Sequence, residues 1–515
     1  MKRSVILAML LAASPLTAQE LAIAAGFGPG AVLQREMPVP IWGRAKPGDT
    51  VTVAFAGQKQ TAVADATGAW RVVLTPLTAS AQPAVLSATA ASGEQASSSD
   101  VLVGEVWFCS GQSNMAMTVA ETDTIAETRR LPPNPAIRQF RSKDQDGKRH
   151  YPITTPQSVG YGTWLSAAPE TVTNADWSAI PYYVAERLQH ELGVPVGVIN
   201  SSVGATAIQA WLPAQAFDFR DPVDPDVKRL SALRDGNAVM DKATGKLISP
   251  GGFDSQVALI AAGTIPLSKG ITTSLYNGMV APHAGTAIRG IMWYQGEANR
   301  GDGMRYHSYL HALIETWRQA WGRPDLPFYF AQIAPYNYSA GKPAAGNRAN
   351  SAGIWEAQTY TLTVPGTAMV TTLDVGDLAN IHPPRKRPVA IRLADQALHR
   401  LYGRTALEPD PPVFRSCRVA GAAIDVTFRQ AGSGLKASDS KPLSWFTIAG
   451  TDGVFHPAEA VISGTDTVRV SAPGVPQPAH VRYAWDDTAQ PNLVSAAGQP
   501  AAAFRTDSTN NLPVE

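Results

Sequence analysis

The stretch from Val101 to Met115 constrains the fold more than any other part of this 515-residue chain. A mostly apolar run, Val101 to Cys109, predicts a short buried strand. The small polar residues Ser-Gly-Gln-Ser-Asn follow it and turn the chain at the strand's carboxyl end. In open α/β sheets this end is where ligands and reacting groups gather. A serine on such a turn is exposed and has a backbone N–H free to bind an anion, although an isolated Gly-x-Ser is more often a helix cap.

The chain from Val101 to about Gly403 alternates short apolar runs with amphipathic segments. The apolar runs predict four further strands: Val196 to Ile199, Ile288 to Tyr294, Phe328 to Ile333 and Ala368 to Leu373. Helical periodicity predicts three helices: Pro181 to Leu192, Tyr306 to Trp321 and Arg387 to Tyr402. This alternation is typical of an α/β fold in which helices cover a mostly parallel sheet.

Both flanks of this region predict β-structure. Short strand-like runs with turn residues between them predict an N-terminal β-sandwich over residues 19–99 and a C-terminal β-domain over 404–515, leaving 100–403 as the α/β domain. The Ala/Ser-rich segment Ala90 to Asp100 is interpreted as a linker. Residues 214–270 lose the alternation and are interpreted as an insertion at the rim of the sheet, such as a lid or substrate wall.

Composition restricts the partners of the chain and its location. The formal net charge is +1, and no long basic stretch is interleaved with aromatic residues, which argues against nucleic-acid binding. Residues 1–18 have the three features of a secretory signal peptide: a basic start, an apolar stretch and a small residue before the cleavage site. About a dozen apolar residues are too few to span a bilayer. We therefore expect an exported protein, periplasmic or secreted, without membrane association after cleavage; its oligomeric state is not readable.

Cysteine and histidine usage predicts neither a disulfide nor a metal site. The two cysteines are Cys109, which ends the predicted buried strand, and Cys417; we expect them to be free thiols. His307 and His311 are four residues apart on a predicted helix, but no glutamate lies beside His307 and no third ligand is evident. They are interpreted as part of a partly exposed helix face, and no cofactor is expected.

The string Gly104-Glu-Val-Trp-Phe-Cys-Ser-Gly-Gln-Ser-Asn-Met115 resembles the first sequence block of the SGNH hydrolases, in the form found in sialate O-acetylesterases and related carbohydrate acetylesterases. This resemblance assigns Ser113 as the nucleophile. It extends over most of the chain, including Val32 to Gln34, Leu275 to Met279 and Val481 to Trp485. It implies a three-layer α/β/α hydrolase domain with accessory β-domains, and an activity that removes O-acetyl groups from sugars.

The same resemblance supplies the other parts that a serine nucleophile needs, namely a base and oxyanion donors. A histidine before Pro-Pro is more often a surface turn residue, but the family has an Ile-His-Pro segment followed by lysine, which matches His382 and Lys386. Gly204 matches the second-block glycine, although Ala205 stands where relatives often have another glycine. Asn299 matches the third-block asparagine. The oxyanion is thus expected to be held by the N–H groups of Ser113 and Gly204 and by the Asn299 side chain.

The acid that orients His382 stays open. Many SGNH enzymes have aspartate three residues before the histidine, but this chain has Ala379 there. Asp377 is close in sequence, whereas Glu297 follows a core strand beside the oxyanion asparagine. We favour Glu297 over Asp377, because its position does not depend on the conformation of the His382 loop. If neither carboxylate serves, a backbone carbonyl would steady a Ser–His dyad.

We expect an O-acetylated carbohydrate as the substrate. Four residues in or beside the matched blocks are the expected substrate contacts: Gln112, Gln295, Trp211 and Tyr294. Sialic acid is the sugar that the family name implies; plant cell-wall polysaccharides such as xylan or xyloglucan are the alternative. A non-catalytic carbohydrate-binding protein is the alternative from another class. A peptidase or lipase is a third, and the absence of an obvious long apolar lid argues weakly against lipase.

Overall fold

A computed structural model describes residues 20–143, 161–174, 177–220, 228–241, 244–266, 268–340 and 350–508. The predicted signal peptide, residues 1–18, lies outside these ranges. Within them, no helix is both long and apolar enough to cross a membrane.

The N-terminal part consists of strands, as predicted. They are β1 (Ala22–Ile23), β2 (Val32–Gln34), β3 (Val39–Arg44), β4 (Thr50–Phe55), β5 (Gln58–Val63), β6 (Ala69–Leu74), β7 (Ser80–Ala90) and β8 (Gln95–Gly111). Strands β1, β3 and β6 form one sheet, and β4, β5 and β7 join the other through β8. Buried and exposed side chains alternate along β3, β4 and β6, so one face of each strand packs into the core.

The prediction of a linker over Ala90 to Asp100 is wrong. Strand β7 ends at Ala90, a tight turn follows, and β8 begins at Gln95 as its antiparallel partner. Strand β8 then continues for 17 residues to Gly111, so one strand passes from the N-terminal strands into the α/β region. The small residues of this segment misled the interpretation, because ladder hydrogen bonds use the backbone and do not require apolar side chains.

The α/β region has a mixed fold of strands and helices. Its strands are β9 (Asn134–Lys143), β10 (Tyr161–Ala167), β11 (Val196–Ser202), β12 (Val239–Met240), β13 (Leu247–Ser249), β14 (Gly290–Tyr294), β15 (Phe328–Ala331) and β16 (Thr367–Val370). Its helices are α1 (Ser113–Ala116), α2 (Ile125–Thr128), α3 (Pro169–Val172), α4 (Ala179–Leu192), α5 (Lys228–Asp235), α6 (Phe253–Ala261), α7 (Arg305–Trp321), α8 (Asn350–Tyr360) and α9 (Lys386–Leu401). The three predicted helices are confirmed to within two residues at each end.

The central strands run in the order β10-β9-β11-β8-β14-β15-β16. All neighbouring pairs from β9 to β16 are parallel, and β10 is antiparallel at the edge. Side chains of β8 alternate between two cores. Trp107 and Cys109 pack with residues of α4 and α9, whereas Phe108 packs on the other face, with its ring centroid 5.8 Å from that of Trp317 in α7. The carboxyl ends of β8, β11 and β14 therefore lie at one edge of the sheet.

The C-terminal part consists of ten strands, as the turn-rich sequence predicted. They are β17 (Val413–Ala420), β18 (Ala423–Arg429), β19 (Leu435–Ala437), β20 (Phe446–Ala449), β21 (His456–Pro457), β22 (Glu459–Ile462), β23 (Thr467–Ser471), β24 (His480–Tyr483), β25 (Leu493–Ser495) and β26 (Phe504–Arg505). They pair in three separate sheets. One contact to the α/β region is the ion pair of Asp487 with Arg300, at 2.8 Å.

Candidate active site

The turn after β8 exposes one serine. Gly111 has φ = 139°, and a Cβ there would lie 2.2 Å from the carbonyl oxygen of Tyr294, so this turn requires glycine. Helix α1 then begins at Ser113, which is partly exposed. The other serines at these strand ends, Ser110, Ser201 and Ser202, are buried. Ser113 is therefore the serine that a substrate can reach.

Gly204, at the end of the loop after β11, lies against the candidate nucleophile. A Cβ added at Gly204 would stand 3.4 Å from the Cβ of Ser113, and no described residue accepts a hydrogen bond from the Gly204 N–H. The carbonyl of Gly204 accepts a 2.6 Å hydrogen bond from Nζ of Lys269, which holds the following peptide, Gly204–Ala205. The next residue, Ala205, has φ = 56°, a left-handed conformation that favours glycine. This geometry explains why relatives can have glycine there.

Asn299 joins the loop after β14 to the loop after β11. Its Oδ1 accepts hydrogen bonds from the Ile208 N–H at 2.9 Å and from Nε2 of Gln295 at 2.8 Å. Its Nδ2 donates to Oε1 of Gln209 at 2.9 Å and to Oδ2 of Asp302 at 2.8 Å. Both N–H bonds of this buried amide are thus engaged within the protein. An oxyanion would have to replace one of these two acceptors.

Asn114, next to the candidate nucleophile, connects three segments of the chain. Its Nδ2 donates to Oε1 of Glu297 and, at 3.2 Å, to the carbonyl of Ile381. Its Oδ1 accepts a 2.6 Å hydrogen bond from Nζ of Lys386. Because Ile381 precedes His382, these bonds hold the histidine loop against α1.

His382 is partly buried, and its imidazole makes no hydrogen bond to the described residues. Its backbone N–H donates to Oδ1 of Asn380 at 2.9 Å. Burial lowers the pKa of His382, and the Lys386 charge lowers it further, whereas Glu121 acts in the opposite direction. The neutral imidazole that a general base requires is therefore favoured. Sequence reasoning missed Glu121, because no motif distinguishes a single loop glutamate.

The two candidate acids have different environments. Glu297 is buried; its Oε1 accepts from Asn114, and its Oε2 has no hydrogen-bond partner among the described residues. Burial raises the pKa of Glu297, and hydrogen bonding and the Lys386 charge partly offset this effect. Asp377 binds its own loop, because its Oδ1 accepts from the Ala379 N–H at 2.9 Å. Neither carboxylate is hydrogen-bonded to His382 in this structure, so the orienting acid stays a prediction.

The four expected substrate contacts lie inside the protein rather than on its surface. Gln112 is 3% exposed and Gln295, Trp211 and Tyr294 are fully buried. Nε2 of Gln295 donates to Oε1 of Gln112 at 3.1 Å, and Nε1 of Trp211 donates to Oγ1 of Thr206 at 3.1 Å. The expectation that Trp211 and Tyr294 contact the substrate is corrected, because neither ring presents a face to solvent. These residues instead brace the loops that surround Ser113.

Among the described residues, the remaining histidines and the cysteines form no metal site or disulfide. His307 is buried, not partly exposed as expected; its Nδ1 lies 2.9 Å from Oγ1 of Thr361, because α7 packs against the segment that follows α8. Within the described ranges, no three His, Cys, Asp or Glu side chains are arranged to hold a metal ion. Cys109 and Cys417 are free, as expected.

Comparisons with known proteins identify the family of this chain. Residues 255–399 match the family model described as carbohydrate esterase, sialic acid-specific acetylesterase. A solved carbohydrate acetylesterase from Xanthomonas citri is 31% identical; the match covers 95% of this chain and 99% of that one, with a TM-score of 0.79. The sialate O-acetylesterase of Homo sapiens is 26% identical over 424 residues, which cover 74% of this chain and 71% of the human protein. That of Mus musculus is 27% identical over 447 residues, covering 78% and 77%. The chain therefore belongs to the sialate O-acetylesterase-like carbohydrate acetylesterases.

Proposed function

We propose that this esterase removes O-acetyl groups from sialate-type carbohydrates through an acetyl-enzyme on Ser113. The observation that carries the proposal is the meeting of three loops at one edge of the sheet. The exposed serine lies against Gly204, and its neighbour Asn114 bonds both the Glu297 carboxylate and the backbone beside His382. The relatives named sialate O-acetylesterase support the sugar class.

In the first half-reaction, Oγ of Ser113 attacks the acetyl carbonyl carbon while His382 takes the hydroxyl proton. The negative charge that develops on the carbonyl oxygen is held by the N–H groups of Ser113 and Gly204 and by the Asn299 amide. The bond from the carbonyl carbon to the sugar oxygen then breaks. The imidazolium returns its proton to that oxygen, the sugar leaves as an alcohol, and the acetyl group stays on Ser113.

In the second half-reaction, water takes the place of the sugar. His382 removes a proton from the water as it attacks the acetyl carbonyl, and the proton goes back to Ser113 when acetate leaves. An imidazole in this role needs an acceptor for its second N–H. We assign that acceptor to Glu297, whose buried Oε2 has no hydrogen-bond partner in the part of the chain that the structure describes. An unpaired buried carboxylate oxygen is costly, and an N–H from His382 would remove that cost.

We infer that the α/β region is a three-layer α/β/α core of the SGNH type. Six parallel strands in the order β9-β11-β8-β14-β15-β16, with apolar cores on both faces, support this inference. We also propose three domains, over residues 19–99, 100–403 and 404–515. Strand β8 crosses the boundary between the first two. Export to the periplasm or the medium is proposed from the sequence of residues 1–18 alone.

Acetate release tests the proposal. The wild type and Ser113→Ala are compared on p-nitrophenyl acetate and then on O-acetylated sialic acid, acetylated xylan and acetylated xyloglucan. We expect turnover that depends on Ser113, with O-acetylated sialic acid giving the highest kcat/KM. Release from xylan or xyloglucan alone would assign the enzyme to cell-wall polysaccharides. Binding of these carbohydrates without any turnover would make the protein a binding module.

A further inference from the structure

Lys386 occupies a position that is unfavourable for a lysine. It is 1% exposed and is the first residue of the 16-residue helix α9. Burial of an ammonium group is costly, and a positive charge at a helix N-terminus opposes the helix dipole. Burial lowers the pKa of Lys386 to about 7. A residue placed against both preferences is expected to serve the site rather than the stability of the helix.

The contacts of Lys386 lead directly to the catalytic loops. Its Nζ donates to Oδ1 of Asn114 and to the carbonyl of Pro383, each at 2.6 Å. It also lies 6.0 Å from the centre of the Tyr294 ring. A neutral amine has two N–H bonds and an ammonium has three. Both hydrogen bonds therefore persist in either protonation state.

These bonds hold the backbone on both sides of the base. The carbonyl of Ile381, one residue before His382, accepts from Asn114 at 3.2 Å. The carbonyl of Pro383, one residue after it, accepts from Lys386, which is itself bonded to Asn114. His382 thus lies in a closed ring of hydrogen bonds that is anchored next to the nucleophile.

We propose that Lys386 is a positioning residue for the base, which together with Asn114 fixes the backbone around His382 relative to Ser113. The proposal rests on the proposed roles of Ser113 and His382. It assigns Lys386 no contact with the substrate.

The same lysine sets the charge that the base experiences. The carboxylates that face Lys386 are Glu297, Glu121 and Asp123, and His382 is the other titratable group beside it. Below pH 7 the ammonium is present, and it lowers the pKa of both His382 and Glu297. Removal of the charge raises the pKa of His382. The pH at which activity is lost on acidification, where the base becomes protonated, must then move upward.

The test is Lys386→Met, which keeps an unbranched side chain as far as Cε and removes the amino group with its charge and donors. The concentration of active sites is determined by titration with a serine-directed phosphonate, so that partial unfolding does not mimic a slower enzyme. We expect kcat on p-nitrophenyl acetate to fall about a hundredfold, the order of loss that a misplaced catalytic group causes, with little change in KM. We expect the acid limb of the pH profile of kcat/KM, where activity falls because the base becomes protonated, to move to a pH higher by about half a unit or more.

Lys436→Met is the matched control, because Nζ of Lys436 also donates to a backbone carbonyl, that of Ala496 at 2.7 Å, but in the C-terminal strands. It should leave both kcat and the acid limb unchanged. If Lys386→Met does not fold, Lys386→Gln, which keeps one donor and loses the charge, must show the same upward shift. An unchanged kcat in the folded Lys386→Met variant overturns the positioning role, and an unchanged acid limb overturns the effect of the Lys386 charge on His382. Failure of the proposed function is a separate result, seen as full activity of Ser113→Ala.

Discussion

A Cβ on Gly204 would lie 3.4 Å from the Cβ of Ser113, an ordinary contact distance between two side chains. The loop that contains Gly204 therefore leaves space for about one methyl group beside the Ser113 side chain. A methyl group at Gly204 fits against Ser113, but it occupies space beside the reacting hydroxyl. Catalysis is then expected to be more sensitive to this position than folding is.

Gly204→Ala should lower kcat/KM on p-nitrophenyl acetate about tenfold to a hundredfold, because the added methyl group displaces the acetyl carbonyl from the oxyanion donors. The melting temperature should stay close to that of the wild type. Ala205→Gly is the control, since its φ of 56° suits glycine and its side chain is exposed; it should be as active as the wild type. Equal activity of Gly204→Ala and Ala205→Gly would remove Gly204 from the oxyanion site.

Asn299→Ala should lower kcat about a hundredfold to a thousandfold with a modest effect on KM, the usual result of losing one oxyanion donor. It should also lower the melting temperature, because the four hydrogen bonds of the amide are lost. Steady-state kinetics together with thermal unfolding separate the two effects. A change confined to KM would make Asn299 a residue that binds substrate and not a donor to the oxyanion.

Glu297→Gln and Asp377→Asn, compared at equal active-site concentration, test the orienting acid. Both changes keep the shape of the side chain and remove its charge. We expect Glu297→Gln to lower kcat by several orders of magnitude, as happens when the base loses its orienting carboxylate. Asp377→Asn should be mild, because Asp377 binds its own loop. The reverse pattern would transfer the role to Asp377, and two mild effects would indicate a Ser–His dyad.

Glu105 should contribute strongly to stability. It is fully buried in β8, and its carboxylate accepts hydrogen bonds from four side chains: Gln34 at 3.1 Å, Arg35 at 2.6 Å, Arg289 at 2.8 and 2.9 Å, and Tyr402 at 2.7 Å. Glu105→Gln should lower the free energy of unfolding by about 3 kcal/mol, because it leaves arginine charges without their buried partner. Glu36→Gln, at an exposed glutamate 3.4 Å from Arg35, should change it by less than about 0.5 kcal/mol. Chemical denaturation of both variants checks this difference.

The same carboxylate predicts a pH dependence of stability. Burial alone would raise the pKa of Glu105, but the hydrogen bonds and charges of Arg289 and Arg35 outweigh it, so the pKa is lowered on folding. A lowered carboxylate pKa stabilises the folded state above the pKa of the unfolded chain, about 4.3. This contribution is lost as the pH falls through the lower pKa of the folded state. Glu105→Gln should therefore lose less stability than the wild type between about pH 5 and pH 2.

Local patterns predicted the elements that carry the site. The apolar run before Ser113 and the periodicity of α4, α7 and α9 are visible in short windows of sequence, and each appears in the structure. The extent of β8 was not visible, because its first half pairs through the backbone and has small side chains. Likewise, only the packing of helix α7 revealed that His307 is buried.

The contacts that organise the site were beyond a reading of the sequence. Asn114 and Lys386 are 272 residues apart in the chain, and no local pattern predicts their hydrogen bond. Lys386 was visible only as the lysine that follows the family's Ile-His-Pro segment. The burial of Trp211 and Tyr294 depends on how the loops close over them, which their neighbours in the sequence do not reveal.

Direct observation of the acetyl-enzyme tests the central claim most directly. The wild type is mixed with excess p-nitrophenyl acetate, quenched in acid during turnover, digested and examined by mass spectrometry, with Ser113→Ala treated in parallel. We predict that the peptide containing Ser113 gains the mass of one acetyl group, with fragment ions that locate the group on Ser113 and not on Ser110, and that the variant peptide gains none. Acetylation of another residue in the wild type, or turnover by Ser113→Ala at the wild-type rate, would contradict the account.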